Sequence, residues 1–154
     1  DELFRHPCFG NLDPKDGALA AHRRVAVTTT LAALDNIPPG LVPPAVKAAM
    51  FDRLRGYFQT FRAAGVPIII GSDNVRDTSV AEVDFLRRLK LFDDAELLRI
   101  WTMDTSPFLF PKRRLGRLAE GYEASFITLP GNPLEDWSAT RRVELRVKKG
   151  VLLD

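Results

Sequence analysis

Val66-Pro67-Ile68-Ile69-Ile70 is the most constraining stretch of this chain, and it runs straight into Gly71-Ser72-Asp73. So many β-branched residues in a row suit a strand covered on both faces, the kind found in parallel sheets. Gly71 lets the backbone turn tightly, and Asp73 then enters the following loop. In parallel α/β folds the catalytic groups gather beyond the carboxyl ends of the strands, so this carboxylate is a candidate for chemistry. An aspartate in that position also serves as an ordinary loop residue or helix cap, and both readings stay open on the tripeptide alone.

The elements around this strand alternate. Asp13-Pro14 pairs an N-cap with a first-turn proline and predicts a helix reaching Arg24; Val25 to Leu31 is β-branched enough for a strand. Asp35 to Pro44 carries four prolines and one glycine, which excludes regular structure and makes a stiff loop. From Ala45 to Ala64, Val46, Met50, Leu54, Phe58 and Phe61 recur at near-helical spacing, with Gly65 as the stop. Ser79-Val80-Ala81-Glu82 reads as a capping box for a helix with Val83, Leu86 and Leu89 on one face. Asp93 to Glu96 repeats the device ahead of Leu97, Leu98, Ile100 and Trp101, with Trp101 expected in the core and Asp104-Thr105 ending the helix. Strands separated by helices argue for a parallel α/β arrangement with right-handed crossovers.

After Pro111 the pattern changes. Tyr122 to Leu129 is strand-like, and Val143, Leu145 and Val147 alternate with Glu144, Arg146 and Lys148 before a Lys149-Gly150 turn. That is a β-hairpin with one face packed and the other wet. It predicts a small antiparallel module over residues 111–154 beside an α/β part over 1–110.

Charge and cysteine content exclude some functions. The 22 basic and 20 acidic side chains leave a net charge of +2, and the arginine pairs at 23–24, 87–88, 113–114 and 141–142 are scattered, so no nucleic-acid partner is expected. No apolar run approaches the roughly 20 residues that cross a bilayer, so no membrane role is expected. A single cysteine, Cys8, excludes an internal disulfide and suits a reducing compartment, the cytoplasm, with secretion left open. The start at Asp1, with no methionine, implies a removed leader or a longer product.

The tail segments Arg114-Leu115-Gly116-Arg117-Leu118-Ala119-Glu120-Gly121-Tyr122-Glu123-Ala124-Ser125-Phe126-Ile127-Thr128-Leu129, Gly131-Asn132-Pro133-Leu134-Glu135-Asp136 and Val147-Lys148-Lys149-Gly150 resemble, in order, the C-terminal end of the metal-dependent amidohydrolase superfamily, in its imidazolonepropionase-like branch. Gly71-Ser72-Asp73 resembles the family's strand-eight aspartate segment, and Asp1 to Pro7 its strand-six segment ending in a histidine, here His6. Ser125 stands where many relatives carry aspartate. The resemblance covers essentially the whole chain but only the last third of a family member. It implies strands six to eight of a (β/α)8 TIM-like barrel, followed by strands of a β-sandwich. A full barrel takes about 250 residues, so this chain cannot close one alone.

The resemblance also implies a divalent metal, zinc, and hydrolysis of carbon–nitrogen bonds in a small-molecule substrate such as a cyclic amide or amidine-like compound. Asp73 would ligate the metal and act as catalytic base, and His6 would ligate it. Arg76 would grip a substrate carboxylate, the alternative being a solvated loop arginine. Two ligands are too few for such a site, which usually takes three from protein. The family's His-x-His pair, its strand-four lysine or glutamate and its strand-five histidine are not in this sequence. The isolated chain is therefore expected to be inactive, and its partners to be the upstream half of the same enzyme or further copies of itself. Against this stands a non-enzymatic partial-barrel and β-module protein that binds a partner or self-associates through open strand edges. Such a piece is expected to expose apolar surface from Val25 to Leu31 and from Val66 to Ile70. Of the remaining reactive residues, His6 reads equally as a surface histidine, His22 as solvated, Cys8 as a small buried residue, and Thr28 to Thr30 as strand formers that could present a hydroxyl.

Overall fold

Helices dominate the first two thirds of the chain and short strands the last third, in a computed structural model that describes residues 12–38, 40–73 and 78–153. The chain divides into two compact units, Asp1–Val27 with Pro39–Pro67, and Thr28–Pro38 with Ile68–Asp154.

In the first unit, α1 (Pro14–His22) opens on a full capping box: Asp13 accepts from the Lys15 N–H, and Asp16 accepts from the Asp13 N–H. It stops at His22, two residues short of the expected end. The second helix, α2 (Pro44–Ala63), buries Met50 and Phe58 and ends at Gly65, whose φ is +71°. Gly17 makes the approach of α1 to α2 possible, since a Cβ there would sit 3.2 Å from that of Ala64.

Two short strands, β1 (Val27–Thr29) and β2 (Ile68–Ile70), form a two-stranded sheet. The Val27 N–H donates to the Pro67 carbonyl at 2.8 Å and the Gly71 N–H to the Thr29 carbonyl at 2.9 Å, so residue numbers rise together along both strands as in a parallel pair. β1 is shorter than Val25 to Leu31, because the backbone winds into a 3-10 helix from Leu31 to Asn36. That helix also enters the proline-rich stretch, which the sequence predicts to be irregular from Asp35 onward.

The second unit packs Ile68, Ile69 and Ile70 against α3 (Ser79–Leu89), where Val83, Phe85, Leu86 and Leu89 are buried. The expected exposure of Val66 to Ile70 is overturned: Val66, Ile68, Ile69 and Ile70 are all buried. A side chain satisfies the end of β2, because the Ile70 N–H donates to Thr105 Oγ1 at 3.0 Å while that hydroxyl donates to the Ile100 carbonyl at 2.7 Å. Asp93 caps α4 (Asp94–Arg99), which runs on through a π-helical turn, Ile100–Asp104, into α5 (Ser106–Leu109). Trp101 is only half-buried, its indole N–H on Ser79 Oγ at 2.9 Å.

The tail of the second unit folds into a three-stranded antiparallel sheet, β3 (Phe126–Thr128), β4 (Leu145–Lys148) and β5 (Val151–Leu153), in that order. Phe126 pairs with Val147 and Val147 with Leu152. Lys149 and Gly150 both take positive φ, as a two-residue hairpin turn of type I′ requires. The packed face expected of this hairpin is not covered: Phe126, Leu145 and Leu152 are 38%, 40% and 61% exposed. Those three residues share one side of the pleat with Val147, and no other described layer buries them. No helix among the described residues is long and apolar enough to cross a membrane.

Candidate functional site around Asp73

The carboxyl end of β2 is shaped by a close backbone contact. A Cβ on Gly71 would lie 2.7 Å from the Thr29 carbonyl oxygen, 2.8 Å from the Thr28 methyl and 3.1 Å from the Thr30 methyl. Only glycine fits there, which gives Gly71 a steric role in addition to the turn. Two residues on, Asp73 takes a φ of +49°, in the left-handed region that aspartate tolerates better than most side chains, and it is exposed. A buried strand therefore delivers a solvated carboxylate just past its end.

Thr29, in β1, is buried while Thr28 and Thr30 are exposed, so those two hydroxyl-bearing residues lie on the open side of the strand that pairs with β2. His22 is exposed, as the sequence predicts. His6, Cys8 and Arg76 lie outside the described residues, so Asp73 is the only proposed site residue with a described position. Among the described residues no group of three or more His, Cys, Asp and Glu stands together.

Sequence reasoning misplaced one carboxylate. Glu82 does not close a capping box; Thr78 caps α3 through the Val80 N–H at 3.2 Å, and Glu82 is fully buried with Oε2 on the Ala32 N–H at 2.7 Å. The Ser-x-x-Glu spacing hid it, since the same four residues serve a cap or a core-facing helix turn equally well. Asp84 faces another way, taking the Trp137 indole N–H at 3.0 Å and an Arg141 guanidinium N–H.

In the tail, Arg113 grips Glu123 with two N–H groups, at 3.0 and 2.5 Å. With Ser125 also donating to it, that carboxyl is held down at about 2, the Arg113 hydrogen bond being the largest cause. Ser125 accepts from the Lys149 N–H at 3.0 Å, so the residue that departs from the family pattern joins the start of β3 to the hairpin turn. Asn132 Oδ1 accepts from the Leu134 N–H at 3.0 Å, which makes Asn-Pro-Leu an Asx-type turn.

No family model and no curated protein matches this chain. Solved structures do. A prolidase complexed with N-methylphosphonate-L-proline is 27% identical with a TM-score of 0.73, over 94% of this chain and 39% of that one. An ochratoxinase from A. niger is 25% identical with a TM-score of 0.77, over 92% of this chain and 35% of the other. Its structural neighbours belong to the amidohydrolase superfamily. An amidohydrolase from Thermotoga maritima MSB8, at 19% identity and a TM-score of 0.59, shares the fold. The chain is consistent with the C-terminal portion of an amidohydrolase and spans 35% and 39% of the ochratoxinase and the prolidase. Its α/β organisation, with a small antiparallel sheet at the end, agrees with these amidohydrolase relatives.

Proposed function

We propose that this chain is the C-terminal part of a metal-dependent hydrolase of carbon–nitrogen bonds. β1 and β2 stand in this reading as strands seven and eight of a (β/α)8 barrel, residues 1–110 as the partial barrel, and residues 111–154 as part of the flanking β-sandwich. The observation that carries it is the exposed Asp73 carboxylate beyond the end of buried β2, in a chain whose neighbours include a prolidase and an ochratoxinase. Its single cysteine fits a cytoplasmic location.

Asp73 suits a divalent cation, zinc in this reading, as one oxygen donor, and the described residues do not complete a donor set around it. In this reading His6 would be a further ligand, and the remaining ligands would come from an upstream portion of the enzyme. Such a metal lowers the pKa of its bound water to about 7. Asp73 would be one of the groups to hold that cation, and as a carboxylate it could also accept the nucleophile's proton and pass it to the leaving nitrogen. Arg76 pairs with a carboxylate of the substrate.

The test is complementation. The chain alone is expected to show no turnover of N-acyl or peptidyl proline amides, and activity is expected when a separately produced upstream portion and zinc are added. Asp73→Asn should lower that activity by about 10²–10⁴-fold, and a chelator should abolish it. Equal rates for Asp73→Asn and the parent chain would remove the carboxylate from the mechanism. The exposed apolar face of the β3–β5 sheet favours a second reading, a non-enzymatic module that binds a partner or itself through strand edges.

A further inference from the structure

A groove of about 600 Å³ is lined jointly by the final sheet and by the π-helical turn, α5 and the loop that follows them. Gly116 seats that loop: at its φ of +87° a Cβ would collide with the Thr102 carbonyl oxygen and lie 2.9 Å from Met103 Cα, so only glycine allows the approach. On the sheet side, Ile127, Arg146 and Leu153 stand in register across β3, β4 and β5, and Lys148 shares their face. This is the face opposite Phe126, Leu145 and Leu152. Phe110, Leu115 and Leu118 add apolar surface from the helix end and the loop, and Leu118 is 86% exposed.

The polar groups around this groove are unequally occupied. Thr102 and Ser106 spend their hydroxyls on the carbonyls of Leu98 and Thr102. Ser125 donates to Glu123 and accepts from the Lys149 N–H, and Arg113 is held by Glu123. Three cations remain, Arg117, Arg146 and Lys148. Among the described residues none of the three has an ion-pair partner, and no carboxylate lines the groove. Long basic side chains lay their stems along apolar surface and keep the charge at its edge, which suits Arg146 between Ile127 and Leu153. A matching occupant has an apolar body to cover Leu115, Ile127 and Leu153 and a negative group for the guanidiniums, whose fork takes a carboxylate with two N–H groups. We propose that the groove binds an amphiphilic organic carboxylate, an apolar chain or ring that ends in a single carboxylate. Its size is that of a site for one small molecule. The inference needs neither Asp73 nor a metal.

Nuclear magnetic resonance on the isotope-labelled chain tests it with decanoate as the probe, decylamine as its oppositely charged counterpart and acetate as the carboxylate without a chain. Decanoate, kept below its micelle concentration, is expected to shift Ile127, Arg146 and Leu153 saturably while Leu145 and Leu152 on the other face stay in place. Decylamine and acetate should each bind at least about tenfold more weakly. Arg146→Gln combined with Lys148→Gln should weaken decanoate by about tenfold or more and leave the helical signal unchanged, since both residues are exposed. Equal affinity of the parent chain for decanoate and decylamine overturns the inference, even if the double variant fails to fold. Shifts spread equally over both faces, the mark of detergent-like contact, do so too. Ile127 and Leu153 resonances that move with protein concentration alone assign the groove to a second copy. Loss of decanoate binding on adding a separately produced upstream portion assigns it to that portion, and either result overturns the proposal.

Discussion

At the level of single residues, the end of β2 is a steric problem solved by one missing methyl group. A methyl group on Gly71 would stand 2.7 Å from the Thr29 carbonyl oxygen and so collide with backbone, which cannot swing aside as a flexible side chain can. Gly71→Ala is expected to cost about 1–3 kcal/mol of stability, read as a lower urea midpoint with an unchanged slope. Its effect should extend to Asp73, because the Gly71 N–H to Thr29 bond is the anchor nearest that carboxylate. Thr105 is the counterpart at the edge of the same strand. Its hydroxyl satisfies the Ile70 N–H, so Thr105→Val leaves a buried donor unpaired at a cost of about 1–3 kcal/mol, whereas Thr105→Ser should recover most of it. Equal stability of Thr105→Val and the parent chain in denaturant titration would count against that role.

Among the elements, α3 does the most joining. Its buried face packs against β2, Glu82 reaches the turn after β1, Asp84 holds the Trp137–Arg141 3-10 helix, and Arg87 and Arg88 pair with Asp94 and Asp35. The β3–β5 sheet is tied differently, through the Arg113–Glu123 pair and Ser125. Because Glu123 is held at about 2 in the folded chain against 4.5 ordinarily, its contribution is fully present above pH 4.5 and is lost as the pH falls toward 2. The chemical shifts of β3 and of the Lys149 turn should therefore titrate below pH 4.5, and Glu123→Gln should remove that titration. An acid profile identical in Glu123→Gln would show that another carboxylate governs the tail.

For the molecule as a whole, among the described residues the β3–β5 sheet leaves an apolar face open while β2 is buried, and the expected exposure beside β1 is met at Val25, which is 50% exposed. Phe126, Leu145 and Leu152 present a contiguous apolar side, and β3 and β5 are both edge strands. The chain is expected to associate as its concentration rises, and Leu145→Gln with Leu152→Gln should reduce that association in sedimentation velocity without changing the helical signal. A parent chain that stays monomeric at high concentration would refute it. Much of the rest was legible in the order of residues. The Asp13-Pro14 cap, the Asp93 cap, the Gly65 stop and the Lys149-Gly150 turn depend on atoms a few positions apart, so local sequence is enough to specify them. The buried β2 followed by Gly71-Ser72-Asp73 was legible for the same reason, a composition that suits little else. The role of Glu82, the hydroxyl of Thr105 beneath Ile70, and the bare face of the final sheet were not. Sequence by itself determined where the main helices, β2 and the final hairpin fall, because backbone conformation and capping answer to near neighbours, but not the 3-10 helix over Leu31–Asn36 that shortens β1. Only the tertiary structure decided which carboxylate is buried, which is solvated and which apolar face stays open, because those outcomes depend on groups brought together from 35 to 57 positions apart.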